Sequence, residues 1–196
     1  MNLRVFDICR EGTHVLGPGL RYVVWVQGCN RCCPGCVTPE SRSVDGGVSL
    51  RVEDIVADIV LHPNIDGITI SGGEPFLQAE AVAGLLRQIK GRRPDLTVII
   101  YTGYEFSQLA EVDKSGEVLE YTDVLIDGPY VESLNDNKGI RGSSNQRIIR
   151  LSSRLDNYIR EMESGDRKIQ YVLNQDGMLS KIGVPSKNNL SHEQRF

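Results

Sequence analysis

The chain has 196 residues, 40% of them hydrophobic and 24% charged, with a formal net charge of −4 and five cysteines. That length suits one domain with a sizeable core. The acidic balance argues against a general nucleic-acid-binding surface, and no apolar run approaches the roughly 20 residues that span a bilayer. The N-terminal Met1-Asn2-Leu3-Arg4-Val5 lacks the basic-then-apolar layout of a secretory signal. Four cysteines crowded into one window are not a secreted disulfide framework, so a reducing cytoplasm and metal binding are the expectation.

In chain order, Leu3 to Ile8 alternates and predicts a short strand with Cys9 at its end, a small buried hydrophobe. Gly12, Gly17, Pro18 and Gly19 punctuate a loop before a strand from Arg21 to Gln27. After Gly46 and Gly47, the residues Val52, Ile55, Val56, Ile59 and Val60 recur at helical spacing, and Pro63 stops that helix. Gly67 to Ser71 predicts a buried strand that ends in Gly72-Gly73-Glu74-Pro75. A second helix carries Val82, Leu85, Leu86 and Ile89 on one face and is closed by Gly91 and Pro94. Strands follow at Thr97 to Tyr101 and Val124 to Asp127, with a short helix around Phe106, Leu109 and Ala110 between them. A polar, glycine-containing loop covers residues 128 to 145. Arg147 to Leu151 reads as strand and Leu155 to Met162 as helix. Ile169 to Leu173 and Met178 to Ile182 flank a hairpin turn at Asn174-Gln175-Asp176-Gly177. Residues 1–185 form the expected domain, and 186–196 form a polar, frayed tail.

The chemistry centres on Gly28-Cys29-Asn30-Arg31-Cys32-Cys33-Pro34-Gly35-Cys36, delivered by the strand before it. Two readings stand. Cys29, Cys33 and Cys36 form a Cys-x3-Cys-x2-Cys triplet with Cys32 a bystander, or all four make two Cys-x2-Cys pairs of the kind that hold zinc. Three thiolates leave one iron of a 4Fe–4S cluster without a protein ligand, and an open metal position supports chemistry where a closed one is structural. Strand alternating with helix predicts parallel βα units, whose ligands gather at the C-terminal strand ends. The cysteine loop, the Gly72-to-Pro75 run, Thr102-Gly103 and Asp127-Gly128 all fall at that edge.

Together these residues resemble the radical S-adenosylmethionine (SAM) superfamily, through Cys29-x3-Cys33-x2-Cys36 and Gly72-Gly73-Glu74-Pro75. A narrower resemblance, to activating enzymes of the anaerobic (class III) ribonucleotide reductase, lies in several runs: Cys33-Pro34-Gly35-Cys36, Tyr101-Thr102-Gly103-Tyr104, Asp123 to Tyr130, Arg141-Gly142-Ser143-Ser144-Asn145-Gln146-Arg147 and Ile182-Gly183-Val184-Pro185. It departs at Val37-Thr38-Pro39-Glu40-Ser41-Arg42, where relatives read Asn at the place of Thr38 and Trp at that of Arg42. That departure keeps a different target, another glycyl-radical enzyme or a small biosynthetic substrate, in view. A zinc or electron-transfer module without catalysis is the reading from another class.

The resemblance implies an α/β fold, an incomplete (β/α)6 barrel with a C-terminal β-hairpin. It also implies a 4Fe–4S cluster on Cys29, Cys33 and Cys36, and SAM held by Gly72, Gly73, Glu74 and Pro75 with Thr102 and Asp127 toward its ribose and sulfonium side. The implied activity is reductive cleavage of SAM to methionine and a 5′-deoxyadenosyl radical, which takes a hydrogen atom from a glycine Cα of a partner enzyme. The implied partners are a glycyl-radical reductase and a flavodoxin or ferredoxin as electron donor.

Overall fold

A computed structural model describes residues 1–173 and 179–185. Its main sheet has seven strands in the order β3-β1-β2-β4-β5-β6-β7. The first strand, β1 (Asn2–Thr13), runs well past the expected Leu3–Ile8 because it is braced by neighbours. It pairs antiparallel with β2 (Arg21–Val26) and, from Asn2 to Val5, with β3 (Val48–Arg51). Cys9 therefore sits within this strand rather than at its end. The strand β3 carries no local signal: it is short, largely exposed and continuous with the helix after it, and only the edge of β1 supplies its ladder.

The central four strands, β2, β4 (Gly67–Gly72), β5 (Thr97–Tyr101) and β6 (Val124–Asp127), are parallel, as the alternation with helices predicts. Both ends of the sheet depart from that pattern. The β1–β2 connection is too short for a crossover, so the pair is antiparallel. Strand β7 (Arg147–Arg150) also pairs antiparallel with β6, after a connection carrying only the 3-10 turn Glu132–Leu134.

Helices α1 (Val52–Val60), α2 (Ala79–Arg92) and α3 (Ser115–Glu120) link the parallel strands. On α2, Val82, Leu85, Leu86 and Ile89 are fully buried, each stabilising by about 1.5–3 kcal/mol. On α1, Val60 is 39% exposed instead of buried, because it lies at the helix end and well round from Val52 and Ile59. The segment at Phe106 is a 3-10 helix, Phe106–Glu111. The unexpected α3 restarts after Lys114, whose positive φ of 63° breaks the run. The predicted helix at Leu155–Met162 is a 3-10 turn, Asp156–Tyr158, running into α4 (Ile159–Ser164). Strands β8 (Gln170–Leu173) and β9 (Leu179–Ile182) form the expected hairpin; its turn, Met178 and the tail 186–196 lie outside the described residues.

At the N-terminal ends of the parallel strands, Arg21 is fully buried, and among the described residues no carboxylate lies within ion-pairing distance of it. Its Nε donates to Thr69 Oγ1 (2.7 Å), Nη1 to Thr97 Oγ1 (3.0 Å) and the Pro18 carbonyl (3.2 Å), and Nη2 to the Ile68 and Thr97 carbonyls (2.5 and 3.1 Å). One guanidinium thus ties β2, β4 and β5 together. Burial lowers its pKa to about 10, so it stays charged at neutral pH. This polar clamp fixes the far end of the sheet and leaves the C-terminal ends for the site.

Candidate functional site

The loop after β2 is set by backbone contacts before any cysteine acts. Gly28, with φ at +93°, turns the chain out of the strand. The chain then returns through the 3-10 turn Pro39–Arg42, where the Ser41 carbonyl accepts from the Gly28 amide (2.8 Å) and the Arg42 carbonyl from the Cys29 amide (3.0 Å). Gln27, almost fully buried at the strand end, holds this strap: its Nε2 donates to the carbonyls of Glu40 (3.1 Å) and Ser43 (2.6 Å). The one local signal for Gln27 in the sequence is a polar side chain closing an apolar strand just before a glycine.

The Gly72-Gly73-Glu74-Pro75 turn docks on the same loop. Gly72 has φ +96°. The Gly73 amide donates to the Val26 carbonyl and the Glu74 amide to the Gly28 carbonyl, each at 2.8 Å. A Cβ on Gly73 would stand 2.2 Å from the Gly28 carbonyl oxygen. The close approach that Gly73 permits is therefore between the turn and the cysteine loop.

Glu74 is 1% exposed, and its carboxylate ties this turn to the end of β5. Oε1 accepts from the Thr102 hydroxyl (2.8 Å) and the Phe76 amide (3.1 Å), and Oε2 accepts from the Gly103 amide (2.8 Å). Burial pushes the Glu74 carboxyl above the usual range, opposed by these three donors and by the charge of Arg31. Pro75 is buried and opens the 3-10 turn Pro75–Gln78 that Glu74 caps.

Cys29, Cys33 and Cys36 line one cavity of about 950 Å³ with Gly72, Gly73 and Glu74; Thr102, Gly103, Gly128 and the lone tryptophan, Trp25, share its wall. Cys32 is exposed and faces a shallow outer pocket instead. The Arg31 amide donates to the Cys29 sulfur at 3.3 Å. Burial raises the Cys29 thiol; the Arg31 amide opposes this, while Glu74, Cys36 and Cys33 add to it. Cys9, half-buried, borders the other side of the cavity, and burial pushes its thiol up too. The far wall is the hairpin, through Val172 and Ile182.

Among the described residues, no three Cys, His, Asp or Glu side chains converge on a point suited to a single metal ion. A four-iron cluster asks for a different arrangement, in which each thiolate meets its own iron. Three cysteines lining one cavity, with a backbone amide directed at one sulfur, fit such a cluster with one iron left for another ligand.

Asp127 is buried behind this wall. Its carboxylate receives the Phe106 amide (2.7 Å) and a two-pronged contact from Arg147, through Nε (3.0 Å) and Nη2. The Arg141–Arg147 run spends its side chains on the chain itself. Gln146 Oε1 accepts from the Gly142 and Ser143 amides (2.8 and 3.2 Å), its Nε2 donates to the Gly128 carbonyl (2.9 Å), and Asn145 Nδ2 donates to the Pro129 carbonyl (2.8 Å). The two runs, Asp123 to Tyr130 and Arg141 to Arg147, are one structural unit that presents Gly128 and Tyr130 to the cavity.

Residues 15–149 match the family model of the 4Fe–4S single cluster domain, and the three thiols on one cavity sit inside that match. The fold and site therefore define a 4Fe–4S single-cluster protein. The chain is 34% identical over 139 residues to the anaerobic ribonucleoside-triphosphate reductase-activating protein of Enterobacteria phage T4, covering 68% of this chain and 86% of that one. The namesakes from Vibrio cholerae and Escherichia coli K12 are 37% identical over 147 residues and 32% over 139, covering 92% and 89% of their own lengths and 70% and 67% of this chain. The chain belongs to this family of anaerobic ribonucleoside-triphosphate reductase-activating proteins.

Proposed function

We propose that the protein is a radical SAM enzyme that generates a glycyl radical on an anaerobic ribonucleotide reductase. The observation that carries this reading is that Cys29, Cys33 and Cys36, but not Cys32, line one cavity with the Gly72-Gly73-Glu74 turn. When bound, a 4Fe–4S cluster would supply one electron and SAM the 5′-deoxyadenosyl radical for taking hydrogen from the partner's glycine. Cys29, Cys33 and Cys36 hold the cluster in this reading. A carboxylate accepts about four hydrogen bonds, and Glu74 already takes three, so one lone pair on Oε2 is left for the ammonium of the methionine moiety. Thr102 acts through Glu74 by donating to Oε1, and Gly72 and Gly73 hold the turn and the cysteine loop together. Asp127 acts through Arg147 and the turn that brings Gly128 to the cavity wall.

We also propose that the parallel strands β2, β4, β5 and β6 belong to an open barrel, whose gap admits the partner's loop. A reduced flavodoxin or ferredoxin in the cytoplasm is the proposed electron source. Among the described residues, no helix is long and apolar enough to cross a membrane. The test is anaerobic reconstitution with iron and sulfide, followed by SAM and dithionite. 5′-Deoxyadenosine should form, and adding the reductase of the same organism should give a glycyl-radical signal by electron paramagnetic resonance. SAM cleavage without that signal moves the substrate to a different radical acceptor; a brown protein that leaves SAM intact overturns the enzymatic reading.

A further inference from the structure

We propose that Arg31 supplies the positive charge that sets the reduction potential of the cluster, held at the thiol cavity by a stack on Tyr104. The inference rests on the proposed cluster at Cys29, Cys33 and Cys36. Arg31 lies inside the Cys-x3-Cys spacing, and its amide already donates to the Cys29 sulfur. Its guanidinium carbon sits 3.9 Å from the centroid of the Tyr104 ring, and Nη2 donates to Gln108 Oε1 at 3.2 Å. Asn30 Nδ2 grips the same tyrosine through its hydroxyl at 3.0 Å. The stem of Arg31 crosses Gly103 so closely that a Cβ there would stand 2.9 Å from Arg31 Cγ.

This clamp fixes a cation and leaves part of it unused. Arg31 Nε is buried and, among the described residues, has no hydrogen-bond partner. Burying a donor with nothing to receive it is costly unless an acceptor belongs there. Arg31 lines the same cavity as the three thiols, and among the described residues no carboxylate lies within ion-pairing distance of it. Glu74, the acid beside it, is buried and engaged by three donors; the other charged groups on the cavity are Asp7, Arg10 and Glu11 of β1, Glu40 of the turn Pro39–Arg42 and Lys181 of the hairpin. A four-iron cluster on three thiolates is an anion that gains one further negative charge on reduction. A cation fixed next to it favours the reduced form, more strongly where water is excluded.

The test is a redox titration of the reconstituted protein, followed by electron paramagnetic resonance, for wild type, Arg31→Gln, Arg31→Lys and Tyr104→Leu. Arg31→Gln should shift the midpoint to a more negative potential at equal cluster content. Arg31→Lys, which keeps the charge, should stay closer to wild type. Tyr104→Leu, which frees the guanidinium to swing into solvent, should shift in the direction of Arg31→Gln. A structural role alone would change cluster content without moving the potential. If Arg31→Gln loads its cluster and keeps the wild-type potential, the inference is overturned; the same holds if Arg31→Lys shifts as far as Arg31→Gln. If Arg31→Gln does not load, Tyr104→Leu decides: a negative shift supports the inference and an unchanged potential overturns it. A wild-type protein that takes up no four-iron cluster overturns the cluster reading and this inference together, whereas an insensitive potential overturns this inference alone.

Discussion

Replacing Gly73 by alanine adds one methyl group at the most crowded point of the site. That Cβ would stand 2.2 Å from the Gly28 carbonyl oxygen, 2.8 Å from the Gly28 carbonyl carbon and 3.0 Å from the Ser41 carbonyl oxygen. Nonbonded heavy atoms rest at roughly 3.5 Å, so Gly28 must retreat by about 1 Å. Its neighbours are backbone, with no flexible side chain to absorb the shift. Overpacking of this kind costs about 1–3 kcal/mol. The retreat also breaks or stretches the bonds from the Gly73 amide to Val26 and from the Glu74 amide to Gly28, at about 1 kcal/mol each. The expected loss is about 3–5 kcal/mol, and it falls on the residue that starts the cysteine loop. Gly73→Ala should therefore lose cluster, although Gly73 has no side chain to bind iron. Gly91→Ala is the control: in α2, with nothing within 4 Å of its Cβ, it should stabilise by about 0.5–1 kcal/mol. The assay is denaturant unfolding of the apoprotein together with iron content after anaerobic reconstitution. A Gly73→Ala protein within about 0.5 kcal/mol of wild type, carrying a full complement of iron, would refute the contact argument.

Single Cys29→Ala, Cys33→Ala and Cys36→Ala variants should lose the broad visible absorbance of the cluster, while Cys32→Ala should keep it; equal losses in all four would show that the exposed thiol is also a ligand. Burial raises the folded-state pKa of Glu74, so the native apoprotein binds more protons than the unfolded chain just above pH 4.5. Its stability should therefore fall as pH rises through that window, and Glu74→Gln should flatten the slope; thermal melts across mildly acidic pH measure it, and identical slopes would contradict the assignment. Arg147→Ala leaves the buried Asp127 with, among the described residues, only the Phe106 amide, so apoprotein stability by denaturant titration should drop by about 1–3 kcal/mol. Asn145→Ala removes one bond to the Pro129 carbonyl and should cost about 1 kcal/mol. If either variant left stability untouched while abolishing radical transfer to the reductase, the loop would be facing the partner rather than holding its own backbone.

The sequence by itself determined the parts governed by local pattern. Apolar runs and helical spacing gave β4, β5, β6 and the buried face of α2, because burial demands those periodicities wherever the segment ends up. The cysteine spacing and the two glycines at Gly72 and Gly73 marked the site, because a closely spaced thiol set and a side-chain-free turn are written in a few adjacent residues. Tertiary structure decided what depends on a partner far along the chain. Strand β3 exists because β1 offers it an edge, and β7 runs antiparallel because no crossover helix precedes it. The spacing leaves the triplet and the four-cysteine set open; only the folded chain shows that Cys29, Cys33 and Cys36 line the cavity while Cys32 is exposed on the outer pocket, which Cys33 also borders. Glu74 and Asp127 read equally well as ligand-facing acids, yet Glu74 ties its turn to Thr102 and Gly103, and Asp127 is bound to Arg147 behind the wall. A buried carboxylate takes its role from the donors that meet it, and those donors come from strand ends that the chain brings together only when folded.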